Sequence, residues 1–296
     1  AVRLEVAETC SPAITQFLLE QFGLSEHDLY RVDGPVNLVR LMHVPDSVDR
    51  PDLKFPGGIP GIPASLNKSP SIFAAIRRND ILLHHPYQSF APVIELLERA
   101  ADDPKVVAIK MTVYRTGTDS VLMRSLIRAA QNGKEVTVVV ELMARFDEEA
   151  NIGWATRLEE VGAHVVYGVV GFKTHAKMLM IVRREESEET SILRRYVHLG
   201  TGNYHPRTAR LYTDFGLLTA NEEIGQDVNE IFKQLTGLGR AQTLHHLWQA
   251  PFALHSNIIA AVDREIDAAR AGKRARIIAK MNSLLEPETI AKLYEA

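Results

Sequence analysis

Apolar residues recur at helical spacing over residues 12–22 (PAITQFLLEQF), where Ile14, Phe17, Leu18 and Phe22 predict a short amphipathic helix. Residues 51–63 (PDLKFPGGIPGIP) hold four prolines and three glycines, a composition that denies helix and central strand alike. Beyond that break, short apolar runs alternate with helical periodicity. Strands are expected at 106–114, 135–143, 164–169, 176–182, 195–199 and 214–219. Helices are expected at 91–101, 119–131, 147–161, 222–235 and 255–271. Asp147 makes a plausible helix start, with Glu148 and Glu149 suited to the positive end of the helix dipole. The acidic segment 184–192 (REESEETSI) reads as a solvated hairpin tip. Near the end, 275–281 (ARIIAKM) reads as a strand and 287–295 (PETIAKLYE) as the helix after it.

The near-continuous apolar stretch at Val138–Val140 implies a strand buried on both faces, and therefore helices on both sides of a sheet. The expected fold class is α/β, with a mixed or parallel sheet over residues 62–240. The terminal strand and helix would bury an apolar face against nothing without further strands, so the chain is expected to be an interior piece of a longer protein.

Composition narrows the class only a little. Net charge is −3, so no global basic field marks a nucleic-acid binder, although a local basic pocket is not excluded. A lone Cys10 rules out a disulfide framework and a cysteine-based zinc site, and suits a reducing compartment. No apolar run reaches the ~20 residues of a membrane span. A cytoplasmic protein is expected, with peripheral attachment to the inner membrane left open.

The candidate chemistry lies in GFKTHAKMLMIV and, after it, HLGTGNYHPRTARLYTDFGLL. His175 and Lys177, two apart at a strand start, are expected to share a face. The loop Gly200-Thr201-Gly202-Asn203 follows another apolar strand; its glycines would let backbone approach a ligand, and its amides could donate to phosphate oxygens. A histidine, a lysine and an asparagine at strand ends supply what phosphoryl transfer needs, a nucleophile and donors for the equatorial oxygens. Arg115 and Arg145 follow two of the strands. If those strands are parallel, both guanidiniums emerge at one sheet edge, where they suit bidentate phosphate contacts. Arg210, Tyr212 and Asp214 follow the glycine loop, and Tyr212 offers a flat ring to a base. The bland alternatives stay open: surface ion pairs to Glu148 or Glu149 for the arginines, core packing for Tyr212, a turn for Asn203. His84-His85 as adjacent strand residues, and His245-His246 as adjacent helix residues, point apart and cannot easily share one metal ion.

The pair His175-x-Lys177 with a later Gly-x-Gly-Asn resembles the motif of the phospholipase D superfamily. The longer stretches YRVDGPVNL (30–38), HHPYQSF (84–90), VVVELMARFDEEANIGWATRLEEVG (138–162), KTHAK (173–177) and HLGTGNYHPRTARLYTD (198–214) closely resemble bacterial polyphosphate kinases with phospholipase-D-like domains. That resemblance implies an ATP:polyphosphate phosphotransferase in which His175 is phosphorylated and Lys177 assists. It assigns Arg115 and Arg145 to a Mg2+–phosphate site, read here as contact through phosphate because guanidinium has no lone pair for a metal. It assigns Tyr212 to ATP. The implied partners are ATP/ADP and inorganic polyphosphate, with no nucleic acid, and a homo-oligomer is expected. By this resemblance residues 1–61 are expected to be the tail of a preceding helical domain with a Pro/Gly-rich linker, 62–240 the first phospholipase-D-like catalytic domain, and 241–296 the truncated beginning of a second one. The first and last stretches are thus partial flanking domains. Family enzymes also have an N-terminal domain and a complete second catalytic domain that contribute to the site, so these residues alone are expected to be inactive. Two other readings remain: a dimeric phosphodiesterase or nuclease of the same superfamily, and a polyphosphate-binding segment without turnover.

Overall fold

A computed structural model describes residues 3–115, 117, 119–141, 148–168, 171–186, 190–237, 239 and 243–296. The chain divides into two compact units, Ala1–Gly58 and Ile59–Ala296. The division falls inside the Pro/Gly-rich segment, where missing amides and unrestrained glycines stop regular pairing.

In the first unit, β1 (Leu4–Ala7) and β2 (Leu29–Val32) pair in parallel from Leu4↔Leu29 to Ala7↔Val32. The crossover between them is α1 (Pro12–Phe22), the helix the periodicity predicts. Ser11 caps it by accepting the Ile14 N–H at 3.3 Å, and Gly23 ends it at φ 61°, a left-handed turn that favours glycine. A short α2 (Val44–Ser47) follows. The four-residue strands of this unit were not legible in the sequence, because so short an alternation does not stand out.

The second unit begins with α3 (Ala64–Asn67) and α4 (Ile72–Arg78). Its sheet is built from β3 (Ile81–His84), β4 (Val106–Val113), β5 (Glu135–Val140), β6 (His164–Tyr167), β7 (Lys177–Glu186), β8 (Ser191–Gly200) and β9 (Phe215–Thr219). The spatial order is β3-β9-β8-β7-β4-β5-β6. Only β4, β5 and β6 are parallel to their neighbours among themselves; β7 is antiparallel to β4, and β8, β9 and β3 continue antiparallel. The sheet is therefore mixed. Its parallel half needs helical crossovers, supplied by α6 (Val121–Gln131) and α7 (Glu148–Glu160), while α5 (Ala91–Asp102) joins β3 to β4.

Both faces are covered, as Val138–Val140 implied. Ile109, Met111, Val138, Val140, Leu179 and Ile181 join one large apolar cluster with α4–α7, whereas Val139, Met178, Met180 and Val197 face α8 (Glu222–Leu235) through Val228, Ile231 and Phe232. This alternation follows from the two-residue period of a strand.

Four expectations need correction. Residues 275–281 form no strand; they run as irregular chain, with the Arg276 amide bonded to Glu265 Oε2 at 2.9 Å. A strand is stable only when a neighbour takes its amides and carbonyls, and among the described residues none pairs here. Segment 184–192 is less of a loop than its polarity suggests, since β7 and β8 pair out to Glu186↔Ser191. Within it Glu185 is buried, accepting from Arg183, Arg194 and Tyr196. His245-His246 lie in irregular chain rather than a helix, preceding α9 (Leu254–Arg270). The strand expected at 135–143 stops at Val140, with Glu141 already outside it; residues 142–147 lie outside those described. The closing helix, α10 (Pro287–Glu295), forms as expected.

Candidate functional site

Strand direction assembles the site. Because β7 runs antiparallel to β4 with Met111 opposite Leu179, the start of β7 lies beside the end of β4. The start of β7 also meets the end of β8, since Lys177 pairs with Gly200. Tyr114 and Arg115 leave the end of β4, and Glu141 leaves the end of the parallel β5. One sheet edge thus receives residues far apart in sequence.

His175 is not in the strand. It sits in the irregular segment just before β7, exposed, while Lys177 is only 6% exposed. Two buried side chains hold this segment. Glu141 Oε2 accepts the Thr174 N–H at 2.7 Å, and Thr112 Oγ1 donates to the Ala176 carbonyl at 2.7 Å while accepting the Met178 N–H at 2.9 Å. The Lys177 ammonium turns back to donate to the His175 carbonyl. Tyr114 is the centre of the arrangement. Its ring meets the His175 ring edge-on at 5.0 Å, and Lys177 Nζ (5.2 Å), Lys173 Nζ and Arg115 Cζ (both 5.5 Å) surround it. Such distances lie within the range of cation–π attraction.

The electrostatics follow from this crowding of cations. Partial burial, then Lys177, Lys173 and Arg115 in turn, hold the His175 imidazole below its ordinary pKa, against the opposing pull of Glu141. Glu141 stabilises the imidazolium, whereas Asp214 acts on Lys177. Burial lowers the Lys177 ammonium to about 8, with Arg115 adding to the effect and Asp214 opposing it. The histidine is therefore a neutral base near pH 7, set among cations.

The remaining expected residues are placed less uniformly. Arg115 is half-buried and its charge reaches both His175 and Lys177. Arg145 lies outside the described residues. The glycine loop is packed against protein rather than open to a ligand: a Cβ on Gly202 would lie 2.3 Å from Asp214 Oδ2, and one on Gly200 would lie 3.1 Å from the His198 ring. Thr201 uses its amide on the Phe215 carbonyl and its hydroxyl on Asp214 Oδ1. Asn203 Oδ1 is buried in a small cavity beside His85 and His198, and Gly200 lines both that cavity and the one at His175. Burial lowers the pKa of His198 to about 3, so it is neutral, with Nδ1 2.8 Å from the Tyr204 hydroxyl. Tyr212 is exposed on the turn after Thr208–Arg210. His84 stacks on Phe215 at 4.6 Å and His85 Nδ1 bonds the Gln88 carbonyl at 2.8 Å, so neither is arranged as a metal ligand.

The family model for polyphosphate kinase C-terminal domain 1 matches residues 71–241. The chain belongs to the polyphosphate kinase family. The models for C-terminal domain 2 and the middle domain match residues 247–296 and 1–44. Polyphosphate kinases from Burkholderia vietnamiensis and Burkholderia lata are each 65% identical over all 296 residues, and the chain spans 43% of their length. The solved polyphosphate kinase from Porphyromonas gingivalis is 31% identical, with a TM-score of 0.83 over 99% of this chain and 44% of that one. Sequence reasoning passed over Tyr114, Thr112, Glu141 and Lys173. Tyr114 and Lys173 adjoin residues that were singled out; Thr112 and Glu141 carry no local signal, since their roles depend on strand pairing.

Proposed function

We propose that the protein carrying this chain is a polyphosphate kinase that moves the terminal phosphoryl group of ATP reversibly onto the end of a polyphosphate chain through a phosphohistidine at His175. The observation that carries the reading is a histidine at the mouth of the site, in an exposed segment, whose imidazole is held below its ordinary pKa by partial burial and then by Lys177, Lys173 and Arg115. A neutral ring nitrogen has the lone pair that attack requires, and the same cations neutralise the incoming phosphate. The nitrogen bonds the terminal phosphorus as the bond to the ADP oxygen breaks, and ADP leaves with that electron pair. A terminal oxygen of polyphosphate then bonds the phosphorus, and the P–N pair returns to the imidazole.

In this reading Lys177 and Arg115 hold phosphate oxygens, with Arg145 as a second guanidinium and Tyr212 against the nucleotide. Glu141 and Asp214 already accept from Thr174 and Thr201, and guanidinium cannot ligate a metal. A divalent ion, Mg2+ in this proposal, fits the site when carried on the phosphates, where it offsets their charge. With ATP as donor, a cytoplasmic location is part of this proposal. Among the described residues no helix is long and apolar enough to cross a membrane.

The test is transfer of terminally labelled phosphate from ATP to the full-length gene product. An acid-labile, alkali-stable label that disappears in His175→Gln is expected. A label that persists in that variant, or none on the wild type, refutes the reading; the latter outcome is what a dimeric phosphodiesterase would give.

A further inference from the structure

The His175 cavity, about 430 Å³, has two unlike walls. Lys173, His175 and Lys177 contribute a cationic lining, and Leu235, Trp248 and Phe252 an apolar one. The second wall is built largely from chain without regular structure, since residues 243–249 are in neither helix nor strand. Asp227, on α8, holds that chain in place. Its side chain is 1% exposed, and its two oxygens accept three successive amides, from His245 at 2.8 Å, His246 at 2.7 Å and Leu247 at 2.9 Å. These bonds hold the carboxyl below its ordinary pKa although burial pushes the other way. One turn earlier on α8, Glu223 Oε2 lies 2.5 Å from His246 Nε2. Leu244 and Leu247 pack on the cluster of Val228, Ile231 and Phe232, which also contains Met178, the neighbour of Lys177.

A buried carboxylate that takes three consecutive backbone amides is a costly arrangement for a mere connection. Burial of a charge is tolerated when its hydrogen bonds are complete, and removal of the charge would leave three donors without their acceptor. What the clasp fixes is the path of the chain immediately before Trp248. We infer that Asp227 is a positioning residue that keeps the 244–252 wall at the cavity, and that this wall shields phosphorylated His175 from water on its cavity side.

The inference rests on the phosphohistidine reading above. A phosphoramidate can be lost to water: the water oxygen bonds phosphorus, and the P–N pair returns to the ring. One water proton goes to the freed nitrogen and the other stays on the released phosphate. Leu235, Trp248 and Phe252 offer no base to activate that water, and aromatic bulk lowers the number of waters near the phosphorus. The same wall leaves the cationic side open to phosphate chains. It therefore favours transfer over hydrolysis, a partition that a kinase must control.

The experiment uses the full-length gene product labelled from terminally labelled ATP, freed of nucleotide and followed without acceptor. Lifetime of the label on protein is measured for wild type, Asp227→Asn, Trp248→Ala and Trp248→Phe. Asp227→Asn keeps the shape but sets an amide NH2 against backbone N–H groups; Trp248→Ala removes the wall and leaves the clasp intact. Loss of label is expected to be roughly tenfold faster in both, which corresponds to about 1.4 kcal/mol of barrier, with Trp248→Phe close to wild type. Equal lifetimes for Trp248→Ala and wild type overturn the shielding role, whether or not Asp227→Asn folds. A shortened lifetime in Trp248→Ala with an unchanged one in folded Asp227→Asn overturns the positioning role of Asp227. If wild type takes no label, the failure belongs to the phosphohistidine reading itself.

Discussion

Lys177 should make the second unit more stable as the solution becomes more alkaline. Its ammonium is buried at the start of β7 beside Arg115, and its pKa falls to about 8 in the folded chain. In the unfolded chain it returns to the ordinary lysine value of about 10.4. Below pH 8 the group is protonated in both states, and the folded state bears the full penalty of a crowded, desolvated cation. Between about 8 and 10.4 the unfolded state binds more protons than the folded one, so the stability of the fold rises with pH. At about 1.4 kcal/mol per pH unit, the window of two to three units corresponds to roughly 3 kcal/mol as an upper limit. Lys177→Met cannot carry that penalty. The variant should therefore exceed wild type in stability at pH 7, and the gap should close as pH rises above 8. Other groups titrate over this range in both proteins and cancel in the difference. Urea unfolding followed by tryptophan fluorescence reads the right part of the molecule, since the two tryptophans, Trp154 and Trp248, both lie in Ile59–Ala296. A wild-type–variant gap that stays constant from pH 7 to 10 would refute the reasoning. A polyanion bound at the site should raise the Lys177 pKa and shift the window upward.

Glu141→Gln removes a carboxylate that raises the His175 pKa while its amide oxygen can still accept the Thr174 N–H. The His175 imidazole should then titrate at a lower pH by NMR, and an unchanged or raised titration would contradict the assigned electrostatics. Gly202→Ala places a methyl group 2.3 Å from Asp214 Oδ2, so Asp214 must move and its support for the Lys177 charge weakens. The alkaline window of stability described for Lys177 should therefore begin at lower pH in Gly202→Ala, with a stability loss of about 1–3 kcal/mol from overpacking. No change in either quantity would show that Asp214 does not govern Lys177.

The order of the core elements was readable from hydrophobic period alone. Apolar runs such as Val136–Val140, set between amphipathic stretches, can be satisfied only by strands buried between helices, and this is a local property of the chain. His175, Lys177 and Tyr212 also belong to stretches long enough to carry a family resemblance, whereas Arg115 lies outside them and was assigned to the Mg2+–phosphate site only through what that resemblance implies. Which strands run parallel was not visible. A strand presents the same alternation in either direction, and the mixed sheet arises from the hairpin β7–β8 and the placement of β7 against β4. That placement sets Tyr114 and Thr112 against the His175 segment. The run at 275–281 has the composition of a strand but no partner among the described residues, and pairing is a property of two segments. Glycines 200 and 202 illustrate the same limit. Their spacing suggested room for a ligand, yet the space is taken by His198 and Asp214, side chains delivered by strand packing. Asp227 is the furthest example: nothing in its local sequence distinguishes it from a solvated helix residue, and its burial exists only because a segment eighteen to twenty residues later folds its amides onto it. Local period and residue chemistry were determined by the sequence itself; charge environment, desolvation and hydrogen-bond partners were decided by tertiary contacts, because each depends on which distant groups share the same few ångströms.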